Sequence, residues 1–238
     1  MSVLIAHRGL VHPDNPEKEN TLEAFVVAFQ TEGIAGIEID VHGTADHQLV
    51  VSHDSVLPNS VKIGDLERKE MPLLPGIEDV LDLHAAFRTK ILQIEVKACS
   101  LKGLFRLAVL IDRQTMRTDP ANIYLLSFDH TLLRILKKLV SPLVRTVAHC
   151  EGPMDLWALG REFDYVGLQV DALAAHRYGF EGKKTPTLQK TWVWTRGAKY
   201  EETDAVVLRK HGAAGFISDT GQLLSTAGFI CDTGQPLS

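Results

Sequence analysis

The segments GIEIDV (36–41) and ILQIEV (91–96) determine the fold that we predict for this chain. Each is a short apolar run in which acidic or amide side chains recur at every second position. Side chains on a β-strand alternate between two faces, so Glu38 and Asp40 share one face of the first segment, while Glu95 shares a face with other polar side chains in the second. Apolar residues on the opposite faces are typical of strands covered by helices. We interpret both segments as strands of one parallel sheet.

Similar apolar segments alternate with amphipathic stretches along most of the chain. The candidate strands are 3–7, 36–41, 91–96, 122–127, 143–149, 165–170, 191–195 and 214–218. The candidate helices are 21–33, 74–87, 101–114, 130–140, 154–163 and 200–212. Such alternation predicts a parallel sheet. Eight strands in 238 residues favour closure into a TIM (β/α)8 barrel. The stretch 171–190 has a loop-like composition.

Two segments lie outside this regular alternation. After the second strand, about 44–75 is too long for a simple connection, and LVVSHD (49–54) within it predicts an added strand in a small insertion above the barrel mouth. At the other end, AGFISDTGQLLS (214–225) recurs as AGFICDTGQPLS (227–238). We assign the eighth strand to the first copy and treat 226–238 as an appended tail. With no low-complexity linker, we expect one catalytic domain over 1–238.

The amino-acid composition argues against some classes of binding partner. Hydrophobic residues make up 45% and charged residues 23% of the chain, and the net charge of −5 argues against binding to nucleic acid or an anionic membrane surface. No apolar run reaches the roughly 18 residues of a membrane span, so we expect no stable membrane insertion. Three cysteines without motif spacing and a start without signal-peptide features indicate reduced thiols in a cytoplasmic protein. The sequence makes no prediction of oligomeric state.

Three acids at the ends of two neighbouring strands need compensating positive charge. Glu38, Asp40 and Glu95 would be costly to bury alone. Lys97 supplies part of the charge, and a hard divalent cation that accepts oxygen ligands, Mg²⁺ or Ca²⁺, is the natural remainder. The alternative is a carboxylate–lysine cluster that only closes the barrel.

Histidines end two of the predicted strands near these acids. His7 follows the first strand and His53 follows the added strand, and imidazole is suited to proton transfer near neutral pH. A structural role is the alternative for each one taken alone. Arg8 could hold phosphate oxygens or form a salt bridge to an acid such as Glu19. Trp194 could form a wall for the alcohol part of a substrate or pack in the core.

Several weaker candidates accompany these residues. Asn20 or Thr21 is placed to cap the first helix. Glu19 could orient Arg8 or approach a metal. Four more polar residues end strands and could line the mouth: Ser127, His149, Gln169 and Asp219.

Taken together, these stretches resemble the glycerophosphodiester phosphodiesterase family. The matching motifs, in the order of the family, are IAHRG (5–9), ENTLEAF (19–25), GIEIDVHGTADHQLVVSHD (36–54), LPGIEDVL (74–81), IEVK (94–97), LLSF (125–128), VWT (193–195) and AGFISD (214–219). The resemblance implies metal-assisted cleavage of a small-molecule glycerophosphodiester to glycerol phosphate and an alcohol.

The resemblance also implies residue roles. It makes His7 and His53 the acid and base, and it places Arg8 and Lys97 at the phosphate and Trp194 near the glycerol. The implied metal ligands are Glu38, Asp40 and Glu95.

The sequence departs from the family pattern mainly after the second histidine, where SVLPNSVKIGDL (55–66) lacks the usual Arg-Thr-Thr and Gly-rich stretch. These departures concern substrate specificity. Three other functions are possible on such a chain: a lysophospholipase D on the same scaffold, a non-catalytic barrel that binds phosphodiesters or a partner protein, and a barrel hydrolase acting on sugars or amides. The presence of both histidines and all three acids favours the catalytic reading.

Overall fold

The protein folds as a closed barrel of parallel strands with one antiparallel strand added at the mouth. The structure is a computed structural model that describes residues 3–11, 18–150, 156–169, 190–194 and 213–218. The strands are β1 (Val3–Ala6), β2 (Ile34–Gly43), β3 (Leu49–Val51), β4 (Ile91–Val96), β5 (Ile123–Ser127), β6 (Arg145–Cys150), β7 (Tyr165–Gln169), β8 (Thr191–Trp194) and β9 (Gly215–Ser218). All except β3 belong to the barrel.

Strand pairing closes the sheet into a TIM barrel. Each barrel strand is parallel to the next, and β1 completes the ring by pairing with β2 on one side and β9 on the other. At Val41, β2 pairs with two strands: it is parallel to β4 and antiparallel to β3, where its partner is Val51. The predicted fold class is therefore confirmed, and the added strand predicted at 49–54 is present as β3.

Helices connect the strands and cover the outside of the barrel. They are α1 (Leu22–Gln30), α2 (Ile77–Ala86), α3 (Leu101–Thr115), α4 (His130–Leu139) and α5 (Leu156–Glu162). Three begin at capping side chains, where Thr21, Ser100 and Asp129 accept backbone N–H groups of the first turn. Within the described part of the chain, no helix combines the length and apolarity needed to cross a bilayer.

Alternation along the strands separates two apolar layers. Ile37, Ile39 and Val41 of β2 point outward and join the main core beneath the helices, where Phe25 and Leu104 are also buried. A second cluster fills the barrel interior and comprises Ile5, Tyr124, Leu126, Val147, Trp192, Trp194 and Ile217. The polar faces of β2 and β4 therefore meet the barrel interior above a packed apolar floor.

The inserted segment forms a small unit of its own beside β3. Two short 3-10 helices, Ile63–Asp65 and Arg68–Glu70, follow β3. Val50, Ile63 and Met71 form a separate buried cluster beneath them. This packing holds the segment after β3, including His53, against the barrel mouth.

The predicted bounds agree with the structure to within a few residues for every described β-strand and α-helix. The helix predicted at 200–212, most of the loop at 171–190 and the tail at 226–238 lie outside the described residues. One catalytic domain over 1–238 stays a prediction.

A substitution at Gly36 tests how closely β2 packs against the neighbouring strands β1 and β4. It pairs with Ile5 of β1 and Ile91 of β4, and a β-carbon there would overlap the Ile91 carbonyl group. Because that obstacle is backbone, Gly36→Ala should destabilise the fold by about 2–3 kcal/mol and lower the melting temperature by about 5–10 °C. Gly64→Ala is the control, because a β-carbon there would meet only the Gly43 carbonyl oxygen, at an ordinary contact distance of 3.9 Å. Equal melting temperatures for the two variants in a thermal scan would contradict this packing.

Candidate active site

A pocket opens at the carboxyl ends of the barrel strands, where TIM barrels place their active sites. Its lining combines charged, aromatic and apolar side chains: His7, Arg8, Glu38, His53, Glu95, Lys97, Phe128, His149, Trp194 and Ile217. Seven of the eight predicted site residues line it directly, and the eighth, Asp40, is buried in contact with Arg8 and Lys97. The structure therefore brings together all eight of these predicted site residues.

Three carboxylates form the buried acidic centre of this pocket. Asp40 of β2 lies directly beside Glu95 of β4 in the strand register, and Glu38 lies two residues before Asp40 on the same face. One carboxylate oxygen of each lies within 4.8 Å of the others. All three side chains are buried, and Glu38 Oε1 has no hydrogen-bond partner within the described chain. This geometry provides an all-oxygen ligand set.

Two basic side chains offset part of this negative charge. Lys97 Nζ lies 2.9 Å from Asp40 Oδ1 and 2.6 Å from Glu95 Oε1. Arg8 Nε lies 3.3 Å from Asp40 Oδ2, while its Nη1 donates to Glu19 Oε2 at 3.0 Å. Glu19 thus orients Arg8, as one of the two sequence readings had it. His7 Nε2 lies 3.8 Å from Glu38 Oε2.

The carboxyl pKa values reflect this uneven compensation. Burial raises the pKa of Glu38 to about 8, with the neighbouring Asp40 charge adding to the effect. Burial also raises the pKa of Glu95, against the opposing charge of Lys97. Burial acts the same way on Asp40, but Lys97 and Arg8 outweigh it and hold its pKa below the ordinary value. Of the three carboxyl groups, Glu38 is the one whose negative charge is least offset by Arg8 and Lys97.

Asn20 holds Asp40 in place, a role that the sequence analysis did not predict. Its Nδ2 donates to Asp40 Oδ2 at 3.0 Å, and its Oδ1 accepts from the Asp40 backbone N–H at 3.3 Å. Thr21 is the residue that caps α1. Asn20 itself has a positive φ of 57°, a conformation that asparagine tolerates better than most residues. The amide therefore fixes Asp40 in both position and orientation.

The two predicted histidines approach the acids from different segments. His7 follows β1, and its backbone N–H donates to the Ser218 carbonyl at 2.9 Å. His53 follows β3, with its Nδ1 2.8 Å from Asp54 Oδ1. A ring that donates from Nδ1 to Asp54 leaves Nε2 available for proton transfer. His42 Nε2 lies 3.2 Å from the His53 carbonyl oxygen and anchors its backbone.

Aromatic rings line the opposite side of the pocket. His149 and Trp194 are stacked with a centroid separation of 6.0 Å, and Phe128 meets both rings edge-on. From the sequence, His149 is only one of the weaker candidates, and Phe128 is identified only within the LLSF motif. Burial, with Lys97 nearby, lowers the pKa of His149 to about 3. A neutral imidazole thus belongs to this wall.

Two other strand-end candidates, Ser127 and Gln169, are not among the residues that line the pocket. Ser127 Oγ donates to the Val96 carbonyl at 2.7 Å and also accepts from the Asp129 backbone N–H, so it ties β5 to its neighbours. Asp219 lies outside the described residues.

The fold and the pocket together define a TIM-barrel active site, and comparisons with known proteins place it in a family. Residues 7–220 match the model of the glycerophosphoryl diester phosphodiesterase family. A glycerophosphodiester phosphodiesterase of Caldanaerobacter subterraneus subsp. tengcongensis is 26% identical over an alignment covering 94% of this chain and 96% of that protein. This chain belongs to the glycerophosphoryl diester phosphodiesterase family and is thereby a phosphoric diester hydrolase.

Solved structures share the fold. A glycerophosphoryl diester phosphodiesterase structure from Silicibacter pomeroyi DSS-3 is similar with a TM-score of 0.74 and 20% identity, covering 100% of this chain and 96% of that one. An Oleispira antarctica phosphodiesterase in complex with the product sn-glycerol-3-phosphate has a TM-score of 0.71 and 17% identity, covering 95% and 96%. At these identities the similarity establishes the barrel fold.

Glu38 should make the stability of the metal-free protein depend on pH. Its folded-state pKa of about 8 exceeds the ordinary 4.5. Its contribution to stability is therefore complete below pH 4.5 and is lost as the pH rises through 8. In chelator, Glu38→Gln should gain melting temperature relative to the unmodified protein as the pH rises from 5 to 8.5. A constant difference between the two proteins across these scans would show that Glu38 ionises as an ordinary carboxyl group.

Proposed function

We propose that this chain hydrolyses glycerophosphodiesters to glycerol phosphate and an alcohol, by histidine acid–base catalysis with a bound divalent cation. The observation that carries the proposal is the buried cluster of Glu38, Asp40 and Glu95, which shares one pocket with His7 and His53. Family membership supports the substrate class. The product complex of the Oleispira antarctica phosphodiesterase supports a glycerol phosphate product on this fold.

Glu38, Asp40 and Glu95 are the proposed ligands of the cation. Their oxygens suit Mg²⁺ or Ca²⁺, and Glu38 Oε1 lacks any hydrogen-bond partner among the described residues. A buried carboxylate left without a partner is costly, so the donor set fits a divalent cation. When bound, such a cation neutralises charge on a phosphate oxygen and thereby reduces the repulsion of a nucleophile.

Arg8 and Lys97 are the proposed phosphate-binding residues. Arg8 is held by Glu19 and Asp40, so its guanidinium group is fixed before a substrate arrives. Lys97 is held by two carboxylates in the same way. Both side chains also line the pocket. Charge-assisted hydrogen bonds from such fixed donors position the phosphate at little cost in side-chain entropy.

His7 and His53 are the proposed proton-transfer residues. One removes a proton from the nucleophile and the other protonates the leaving alcohol. The nucleophile is water or the neighbouring glycerol hydroxyl, and the second route gives a cyclic phosphate first. Phosphorus NMR of the reaction distinguishes the routes. Trp194 is the proposed aromatic contact of the glycerol part, supported by its position on the pocket wall.

The cytoplasm is the proposed location. Cys99 and Cys150 are free thiols in the structure, and free thiols are typical of a reducing compartment.

Replacing the two histidines should remove most of the activity. His7→Gln and His53→Gln should each lower kcat by about a hundredfold or more, because each removes one proton-transfer group. His47→Asn is the control, since His47 has φ 61° in the turn before β3, a conformation that asparagine accepts. Turnover of glycerophosphocholine is the measurement, with circular dichroism to verify folding. Near-normal rates for both glutamine variants would overturn the assignment.

Removal of divalent cations by a chelator should abolish the hydrolytic activity reversibly. EDTA should abolish hydrolysis, and Mg²⁺ or Ca²⁺ should restore it and raise the melting temperature, because the cation binds the folded state. Glu38→Gln should lose both effects, while Asp112→Asn, at an exposed position of α3, should keep them. The substrates to compare are glycerophosphocholine, glycerophosphoethanolamine, a lysophospholipid and bis(p-nitrophenyl) phosphate. Preference for the lysophospholipid would instead indicate a lysophospholipase D, and binding without turnover a non-catalytic barrel.

A further inference from the structure

His149 lines the pocket but has no role in the proposed mechanism. It lies on β6, is only 4% exposed, and lines the same pocket as the acids and histidines. Neither Nδ1 nor Nε2 has a hydrogen-bond partner within the described chain. A buried polar group without a partner is unfavourable. Such a side chain in a substrate pocket has the properties of a ligand-binding group.

The packing around His149 fixes which ring nitrogen faces the pocket. Trp194 stacks on one face of the imidazole, and Phe128 meets it edge-on. On the next strand, Gly167 has no side chain, and the Cδ2–Nε2 edge of the imidazole occupies the space that a β-carbon would need there. Because Nδ1 lies on the opposite edge of the ring, it points away from Gly167 and toward Glu95.

Nδ1 lies 3.8 Å from Glu95 Oε2, which is too far for a direct hydrogen bond. A hydroxyl oxygen placed about 2.8–2.9 Å from each atom would bridge the two by ordinary hydrogen bonds. A hydroxyl group can accept from Nδ1–H and donate to the carboxylate at the same time. An ether, ester or alkyl group cannot make both contacts. The gap therefore has the chemistry of a hydroxyl-binding position.

We propose that His149 is a specificity-determining residue whose Nδ1–H binds a hydroxyl of the substrate's glycerol part, beside Glu95 and against the rings of Phe128 and Trp194. The proposal rests on the proposed function, because it assigns the alcohol-recognition position of the same pocket. It predicts that the enzyme discriminates between a glycerol ester and an alkyl ester of the same phosphate.

The test compares two ligands that differ only in hydroxyl groups. Binding of sn-glycerol 3-phosphate and of propyl phosphate is measured by calorimetry on the unmodified protein, His149→Phe and His149→Asn, with Mg²⁺ present and in chelator. Phenylalanine keeps an aromatic ring but removes both nitrogens, whereas asparagine can place an amide near the position of Nδ1. The ratio of the two affinities is unaffected by the fraction of correctly folded protein.

The unmodified protein should prefer glycerol 3-phosphate by about tenfold or more, as expected for one added hydrogen bond to a buried group. His149→Phe should reduce this preference to near one by weakening glycerol 3-phosphate alone, and His149→Asn should retain it to within about threefold. The ratio of kcat/KM for glycerophosphocholine over bis(p-nitrophenyl) phosphate should follow the same order.

Two outcomes would overturn the proposal. An unchanged preference in His149→Phe would show that Nδ1 makes no hydroxyl contact, and equal weakening of both ligands would show that His149 only supports the pocket wall. The proposed function fails separately, if the unmodified protein cleaves no glycerophosphodiester with either cation. In that case the binding ratio still decides the role of His149.

Discussion

The site depends on one electrostatic constraint: three carboxylates are buried within reach of one another at the barrel mouth. Glu38, Asp40 and Glu95 would repel strongly in a dry interior, because Coulomb energies grow as the effective dielectric falls. Lys97 bridges two of them and Arg8 holds Asp40, which leaves Glu38 as the least compensated carboxyl group. The same contacts that relieve the acids also immobilise the two cations. The pocket is therefore rigid before any ligand enters.

Close packing of the apolar cluster inside the barrel keeps the three carboxylates at fixed positions. Tyr124, Leu126 and Trp192 belong to the packed cluster inside the barrel, and the outward face of β2 is held by the helical layer. Close-packed interiors resist small displacements. Since Asp40 and Glu95 are neighbours in strand register, their separation is set by the hydrogen-bonded sheet and does not depend on loops. A cluster that is electrostatically unfavourable can thus persist at fixed geometry.

The sequence predicts the site best where the acidic residues follow the two-residue alternation of a β-strand. Alternation in β2 and β4 placed the acids on one face, and the structure confirms the barrel that joins them. The sequence left open whether Asn20 or Thr21 caps α1; Thr21 is the cap, and only the tertiary fold shows the Asn20 amide against Asp40. The two readings of Arg8 were not exclusive, since a salt bridge to Glu19 can also prepare the guanidinium for a phosphate. The role of His149 depends on Gly167 and Trp194 in later strands, so no local pattern could reveal it.

Strand order also divides the pocket into two chemically different sides. The charged side comes from β1, β2, β4 and the segment after β3, whereas Phe128, His149, Trp194 and Ile217 come from β5, β6, β8 and β9. A phosphodiester has a matching division, since it joins an anionic centre to organic alcohols. The two sides meet where His149 Nδ1 faces Glu95 across 3.8 Å. A group that bridges them must satisfy both a nitrogen donor and a carboxylate acceptor. Among the parts of a glycerophosphodiester, a glycerol hydroxyl meets that requirement, whereas an ionised phosphate oxygen has no hydrogen to donate to Glu95.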